Sequence, residues 1–188
     1  MDKMNQLGLN PKSTIFGQGF GLRFGAALVL ILGAAAMRLI PHPPNFTPIA
    51  AIALFGAAAF PRREMGLVLA LTALFLSDCV LGFHHQMIAV YTAFIVIAFI
   101  GLVLCERRTA TKVAGAALTS SVVFFVITNT AVWFSSPEYP KTWQGLMLCW
   151  TAGLPFFGNT IAGDLVSTGV LFGAWAWVEK TLPQPKLA

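Results

Sequence analysis

Asp78 and Cys79 lie in Leu74-Phe75-Leu76-Ser77-Asp78-Cys79-Val80-Leu81-Gly82-Phe83-His84-His85, where an acid, a thiol and two imidazoles share the end of an apolar stretch. A carboxylate inside such a segment is costly unless it has a partner or a task. A second acid, Asp164, lies in a later apolar segment, and Arg38 is the obvious cation for either. Each acid therefore reads as one half of a buried ion pair or helix-cap contact, or as a ligand-contacting group. Cys79 has two readings as well. A free cysteine in a buried segment is commonly an inert small hydrophobe, whereas a thiolate at a helix end is a soft ligand suited to cobalt, copper or iron. His84 and His85 point about 100° apart on a helix, which suits a gate or rim better than joint ligation of one ion.

The elements that must position these groups follow from composition. Of 188 residues, 57% are hydrophobic and 10% charged, and the mean hydropathy is +0.76. Soluble domains carry roughly 25% charged residues, so the chain reads as an integral membrane protein with one helical domain. The apolar segments are continuous and lack the period-2 alternation of a β-barrel. Three cysteines, Cys79, Cys105 and Cys149, show no zinc or disulfide spacing. The net charge of +5 comes from basic residues scattered over short loops. Asymmetric loop charge explains it better than nucleic-acid binding.

Breaks at charged or proline-rich stretches predict an all-α bundle of six spans, at residues 22–40, 47–60, 65–82, 87–104, 113–134 and 157–178. An amphipathic stretch at 142–154 either lies in the interface or starts the last helix early. Residues 1–21 and 181–188 are expected to be cytoplasmic tails flanking a transmembrane domain at 22–180. With the N-terminus inside, Lys3, Lys12, Arg23, Arg62, Arg63, Arg107, Arg108, Lys112, Lys180 and Lys186 fall on the inner side, leaving Arg38 and Lys141 outside. The bias toward inner positive charge then places both termini in the cytoplasm. In that orientation Arg38, His42, Asn45, Asp78, Cys79, His84, His85, Tyr91, Asn129, Trp133, Tyr139, Asn159 and Asp164 gather toward the outer face. The pattern predicts a cavity open to the outside.

Two further features bear on partners. The first helix carries Gly25, Ala26, Gly33, Ala34 and Ala35 at helical spacing, a strip that lets another helix approach closely, either within the chain or from a partner subunit. Pro41-His42-Pro43-Pro44-Asn45-Phe46-Thr47-Pro48 is a stiff loop able to lid a cavity. Trp133, Tyr139 and Trp143 near the same face are either belt aromatics or the lining of a site for a large planar ligand.

Arg38-Leu39-Ile40-Pro41-His42-Pro43-Pro44-Asn45-Phe46-Thr47-Pro48-Ile49, Phe75-Leu76-Ser77-Asp78, Gly82-Phe83-His84, Thr128-Asn129, Tyr139-Pro140-Lys141-Thr142 and Pro155-Phe156-Phe157-Gly158-Asn159-Thr160 together resemble a family of small bacterial membrane proteins. That family is related to the substrate-binding S-components of energy-coupling factor (ECF) vitamin transporters. The likeness covers about residues 35–172. A cysteine directly after Ser77-Asp78 is similar to the BtuM-type solitary cobalamin transporters. The resemblance implies uptake of cobalamin (vitamin B12) or a related corrinoid across the bacterial inner membrane. It makes Cys79 the axial ligand to the cobalt and the group that would remove an upper cyanide. Arg38, His42, Asn45, Asp78, His84, Tyr91, Asn129, Tyr139, Asn159 and Asp164 are the remaining candidate contacts. An ECF energising module is the implied partner at the first helix, because the chain has no G-x-x-x-x-G-K-[ST] motif to handle ATP. The competing expectations are an S-component for another vitamin, with Cys79 incidental, and a membrane redox or haem protein using His42, His84 or His85.

Overall fold

A computed structural model describes residues 18–60, 63–104 and 108–182, with side chains from residue 21 onward. Residues 1–17 of the expected N-terminal tail (1–21) and residues 183–188 of the expected C-terminal tail (181–188), together with Arg62, Cys105 and Arg107, lie outside the described residues, and with the tails Lys3, Lys12 and Lys186. Among the described residues six helices follow one another: α1 (Gln18–Met37), α2 (Ile49–Ala59), α3 (Arg63–Leu81), α4 (Met87–Leu104), α5 (Ala110–Ser135) and α6 (Trp143–Thr181). Four of them, α3 to α6, are long and apolar enough to cross a membrane.

Helix α2 is the axis of the bundle. All eleven of its residues are buried, and α1, α3, α4, α5 and α6 each pack against it. Its sequence, IAAIALFGAAA, is mostly alanine, which keeps the helix thin and lets five neighbours approach. Glycines bring the backbones still closer. A Cβ on Gly66 would stand 1.9 Å from the Gly56 carbonyl oxygen, and one on Gly101 would stand 2.7 Å from that of Leu54. Phe55 fills the remaining space, with edge contacts to Phe172 at 5.6 Å and Trp175 at 5.8 Å. At 1.5 Å per residue α2 is only about 16 Å long, roughly half the thickness of a bilayer core.

That shortness shapes one end of the molecule. Gly56 packs on Gly66 and Ala70 of α3, so α2 starts about level with Phe75 and roughly 9 Å below the end of α3. The surrounding helices thus rise past the start of α2, and the chain from residue 38 to residue 48 descends into the recess they leave. Residues 41–45 remain exposed there.

Helix α6 begins earlier than its apolar core predicts. The amphipathic stretch from residue 142 is its first part, capped by Thr142, whose hydroxyl accepts from the Gly145 amide at 3.2 Å. Pro155 sits inside the helix without ending it. The turn between α5 and α6 is tied down by Trp133 Nε1, which donates to the Pro140 carbonyl at 2.8 Å, and by Lys141, whose ammonium bonds the Trp133 and Ser136 carbonyls.

Described basic residues separate by end. Arg23, Arg63, Arg108, Lys112 and Lys180 occupy the end where α1, α3 and α5 start and α6 stops. Arg23 bonds the carbonyls of Glu179 and Leu182, and Arg108 pairs with Glu179 at 2.9 Å. Arg38 and Lys141 are at the recessed end.

Candidate functional site at the recessed end

The recessed end is organised by one buried ion pair. Arg38, immediately after α1, places Nη2 2.7 Å from Asp78 Oδ1, with side chains 7% and 1% exposed. Its Nη1 donates to Ser77 Oγ and, at 3.3 Å, to the Leu74 carbonyl. Tyr91, one turn into α4, donates its hydroxyl to Asp78 Oδ2 at 2.9 Å. Three helices thus meet at one carboxylate. In a low-dielectric setting such a pair is held by mutual attraction and by the hydrogen bonds from Tyr91 to Asp78 and from Arg38 to Ser77 and Leu74, and removing either partner strands a buried charge. Helices α3 and α4 are joined here side chain to side chain, with α3 packed closely on α1 and α2.

Cys79 follows Asp78 by one residue and therefore by about 100° around α3. Ser77 and Asp78 point into the bundle, whereas the Cys79 thiol is free and exposed. It shares that outward side with Phe75 and Phe83 (47% and 68% exposed). Gly82, at φ +93°, reverses the chain after α3 in a conformation that a side chain resists. The reversal brings the Phe83 ring back over Phe75, with centroids 6.1 Å apart and planes 28° from parallel. The thiol accordingly stands beside a stacked, exposed aromatic pair.

The other expected residues divide into three groups. Asn159 on α6 donates Nδ2 to the Pro44 carbonyl at 3.0 Å, fastening the recessed loop to the opposite wall. Asn45, next to it, is exposed with a left-handed φ of 63°. His42 is exposed, its Nδ1 2.6 Å from the Ile40 carbonyl oxygen. His84 and His85 are exposed between α3 and α4. Asn129 and Tyr139 belong to the α5–α6 hairpin. Asn129 donates to the Phe125 carbonyl at 2.9 Å, and its own carbonyl accepts from the buried Cys149 thiol at 3.3 Å.

Asp164 does not share Arg38 with Asp78. It is buried within the α5–α6 contact, where Ser121 donates to Oδ2 at 2.7 Å. Gly163, beside it, packs on the backbone of Phe46 and Thr47, which puts the acid just above the start of α2. The strip on α1 is likewise only partly an internal contact. Ala35 is buried, but a Cβ on Gly25 or Gly33 would meet nothing within 4 Å. Gly33 and Ala34 instead line an open apolar groove of about 470 Å³ between α1 and α6.

Sequence reasoning passed over Ser120, Ser121, Thr160 and Thr168, all buried. Their signal was available. Thr160, Asp164 and Thr168 recur at four-residue spacing, which is one face of a helix.

A family model for a family of unknown function matches residues 19–185. The chain belongs to DUF6580. Comparison with curated proteins and with solved structures gave no match. Membership in DUF6580 spans all six helices, so the Arg38–Asp78–Tyr91 junction and the recess above α2 both lie within the family's own unit.

Proposed function

We propose that this chain is a bacterial inner-membrane importer of cobalamin or a related corrinoid, capturing it at the recessed end with Cys79 as the axial cobalt ligand. In this reading all six helices lie in the membrane, both termini are cytoplasmic and the recess faces outward. The observation that carries it is the free, exposed Cys79 thiol in the last turn of α3, at the recessed end and on the side of the helix that bears the exposed Phe75–Phe83 pair. A soft thiolate suits cobalt, and an exposed aromatic platform suits a broad flat ring. The likeness of the motifs around residues 38–49 and 75–84 to cobalamin transporters supports the same assignment.

The geometry gives Arg38 and Asp78 a positioning role. Each is spent on the other, on Ser77 and on Tyr91, so they hold the end of α3 still while Cys79 meets the ligand. His84 and Asn45 are exposed and free to meet polar groups on the ring periphery. On binding, the thiol loses its proton to solvent, since metal ligation favours thiolate. The sulfur lone pair would then replace the nucleotide base of the corrinoid, which leaves the cobalt with its own electron pair, and cyanide would leave the opposite face with its pair as water takes its place. No electron is transferred to or from the protein in that exchange.

The test is the absorption spectrum of purified full-length protein mixed with cyanocobalamin, together with cobalamin-dependent growth of a strain lacking its own importer. Wild type is expected to retain a coloured corrinoid with thiolate-shifted bands and to support growth, and Cys79→Ser to lose both. An unchanged spectrum and unchanged growth in Cys79→Ser would end the cobalt-ligand reading.

A further inference from the structure

The buried polar side chains of the bundle form two separate clusters. One is the Arg38–Ser77–Asp78 junction, electrically balanced. The other consists of Ser120 and Ser121 on α5 with Thr160, Asp164 and Thr168 on α6, each 7% exposed or less, and it contains an acid with no base. Nothing charged among the described residues stands against Asp164 on any helix that packs on α6. Helix α2 has no titratable residue. On α1, Arg23 is held at the far end by the Glu179 and Leu182 carbonyls, and Arg38 is held by Asp78. On α5, Lys112 lies in the first turn, at the Arg108 end. Glu179 and Lys180 on α6 itself lie there too, with Arg108 on Glu179. His42 in the recessed loop is exposed and turned to the Ile40 carbonyl.

A buried carboxylate without a counter-charge is costly in this setting, and a proton relieves it. The hydrogen bonds around Asp164 accommodate both protonation states. Ser121 Oγ is 2.7 Å from Asp164 Oδ2 and 3.1 Å from the Ala117 carbonyl oxygen, and a hydroxyl has one proton to give. When Asp164 is ionised, Ser121 donates to it. When Asp164 carries a proton, Ser121 turns its proton to Ala117 and accepts from the acid. The hydroxyl is a two-position switch that leaves neither state unsatisfied.

The two directions from Asp164 differ. Toward the recess, Gly163 packs on the backbone of Phe46 and Thr47, half-buried residues at the foot of the exposed 41–45 loop, so this contact has to part for a proton to pass. In the other direction Thr168 lies one turn, about 6 Å, along α6. Its hydroxyl is buried without a partner, and it lines a cavity of about 370 Å³ that runs between α5 and α6 to Arg108 and Glu179.

From this arrangement we infer that Asp164 is a reversible proton site, loaded from the recessed end and unloaded toward the Arg108 end through Thr168. In a chain that imports a solute, it is the coupling site. The proton site stands on the geometry above, and only the coupling rests on the cobalamin reading.

A pH titration of the full chain in lipid bilayers, followed by the infrared C=O absorption of protonated carboxyls, tests the site. Wild type is expected to lose one such band as pH rises, Asp164→Asn to lack it, and Ser121→Ala to keep it with a changed midpoint. A band that never titrates, or one that persists in Asp164→Asn, overturns the proposal. If Asp164→Asn fails to fold, the Ser121→Ala midpoint decides: an unchanged midpoint overturns the site. Proteoliposomes with an internal pH dye test the coupling. An acid-outside gradient is expected to speed cobalamin entry several-fold in wild type and not in Asp164→Asn. A sodium gradient that replaces the pH gradient overturns proton coupling. A titrating Asp164 band in a protein that never takes up corrinoid supports the proton site and overturns the cobalamin reading instead.

Discussion

The Arg38 guanidinium stands 2.7 Å from the Asp78 carboxylate, joining the residue that follows α1 to the last turn of α3. Tyr91 of α4 completes the junction. With Asp78 held inward by this contact, the next residue along α3, Cys79, falls on its exposed side.

Breaking the pair from one side is expected to be far worse than replacing both sides. Arg38→Ala or Asp78→Ala should cost about 3–5 kcal/mol, because a buried charge is left alone. The double variant Arg38→Met with Asp78→Leu should recover most of that loss. Thermal unfolding in detergent, with the two single variants and the double compared, checks it.

Two glycines of identical propensity should behave oppositely. Gly66→Ala drives a methyl into the Gly56 carbonyl and should cost about 3 kcal/mol or more. Gly33→Ala meets open space and should be neutral or stabilising by up to about 1 kcal/mol. The same unfolding assay reads both.

In a Cys105→Ala background, maleimide should label Cys79 rapidly in the folded protein and leave Cys149 untouched until denaturation, because the first is exposed and the second buried. Peptide mass mapping distinguishes the two. Prior incubation with cobalamin should protect Cys79 alone.

Asn159→Ala removes the bond from α6 to the Pro44 carbonyl. The loop at residues 41–45 should then be cleaved severalfold faster by a nonspecific protease, with little change in the unfolding temperature. Unaltered cleavage would show that the prolines alone hold the loop.

Much of the architecture was written in local pattern. The fourth helix was legible to the residue, at 87–104, because its apolar run is bounded in sequence by His84-His85-Gln86 on one side and Glu106-Arg107-Arg108 on the other. The third and fifth were legible within three residues at each end. Cap and length effects were harder to see. Helix α6 starts well before residue 157 because Thr142 caps it and Pro155 is tolerated within it, while hydropathy alone marks only its most apolar part.

The sequence by itself determined that this is an all-α, membrane-type bundle, that its odd polar residues are few, and that Asp78 and Cys79 are adjacent. These follow from composition and from the 3.6-residue period, which are properties of neighbours along the chain. Only the tertiary structure decided how the charges pair. Asp78 and Asp164 are the same residue type in similar apolar surroundings, yet one faces Arg38 and the other Ser121, because pairing depends on which helices touch. It also decided that α2, the shortest helix, is the one at the centre. A helix of small residues is thin enough to be surrounded by five others, and its shortness opens the recess beside which Cys79 stands.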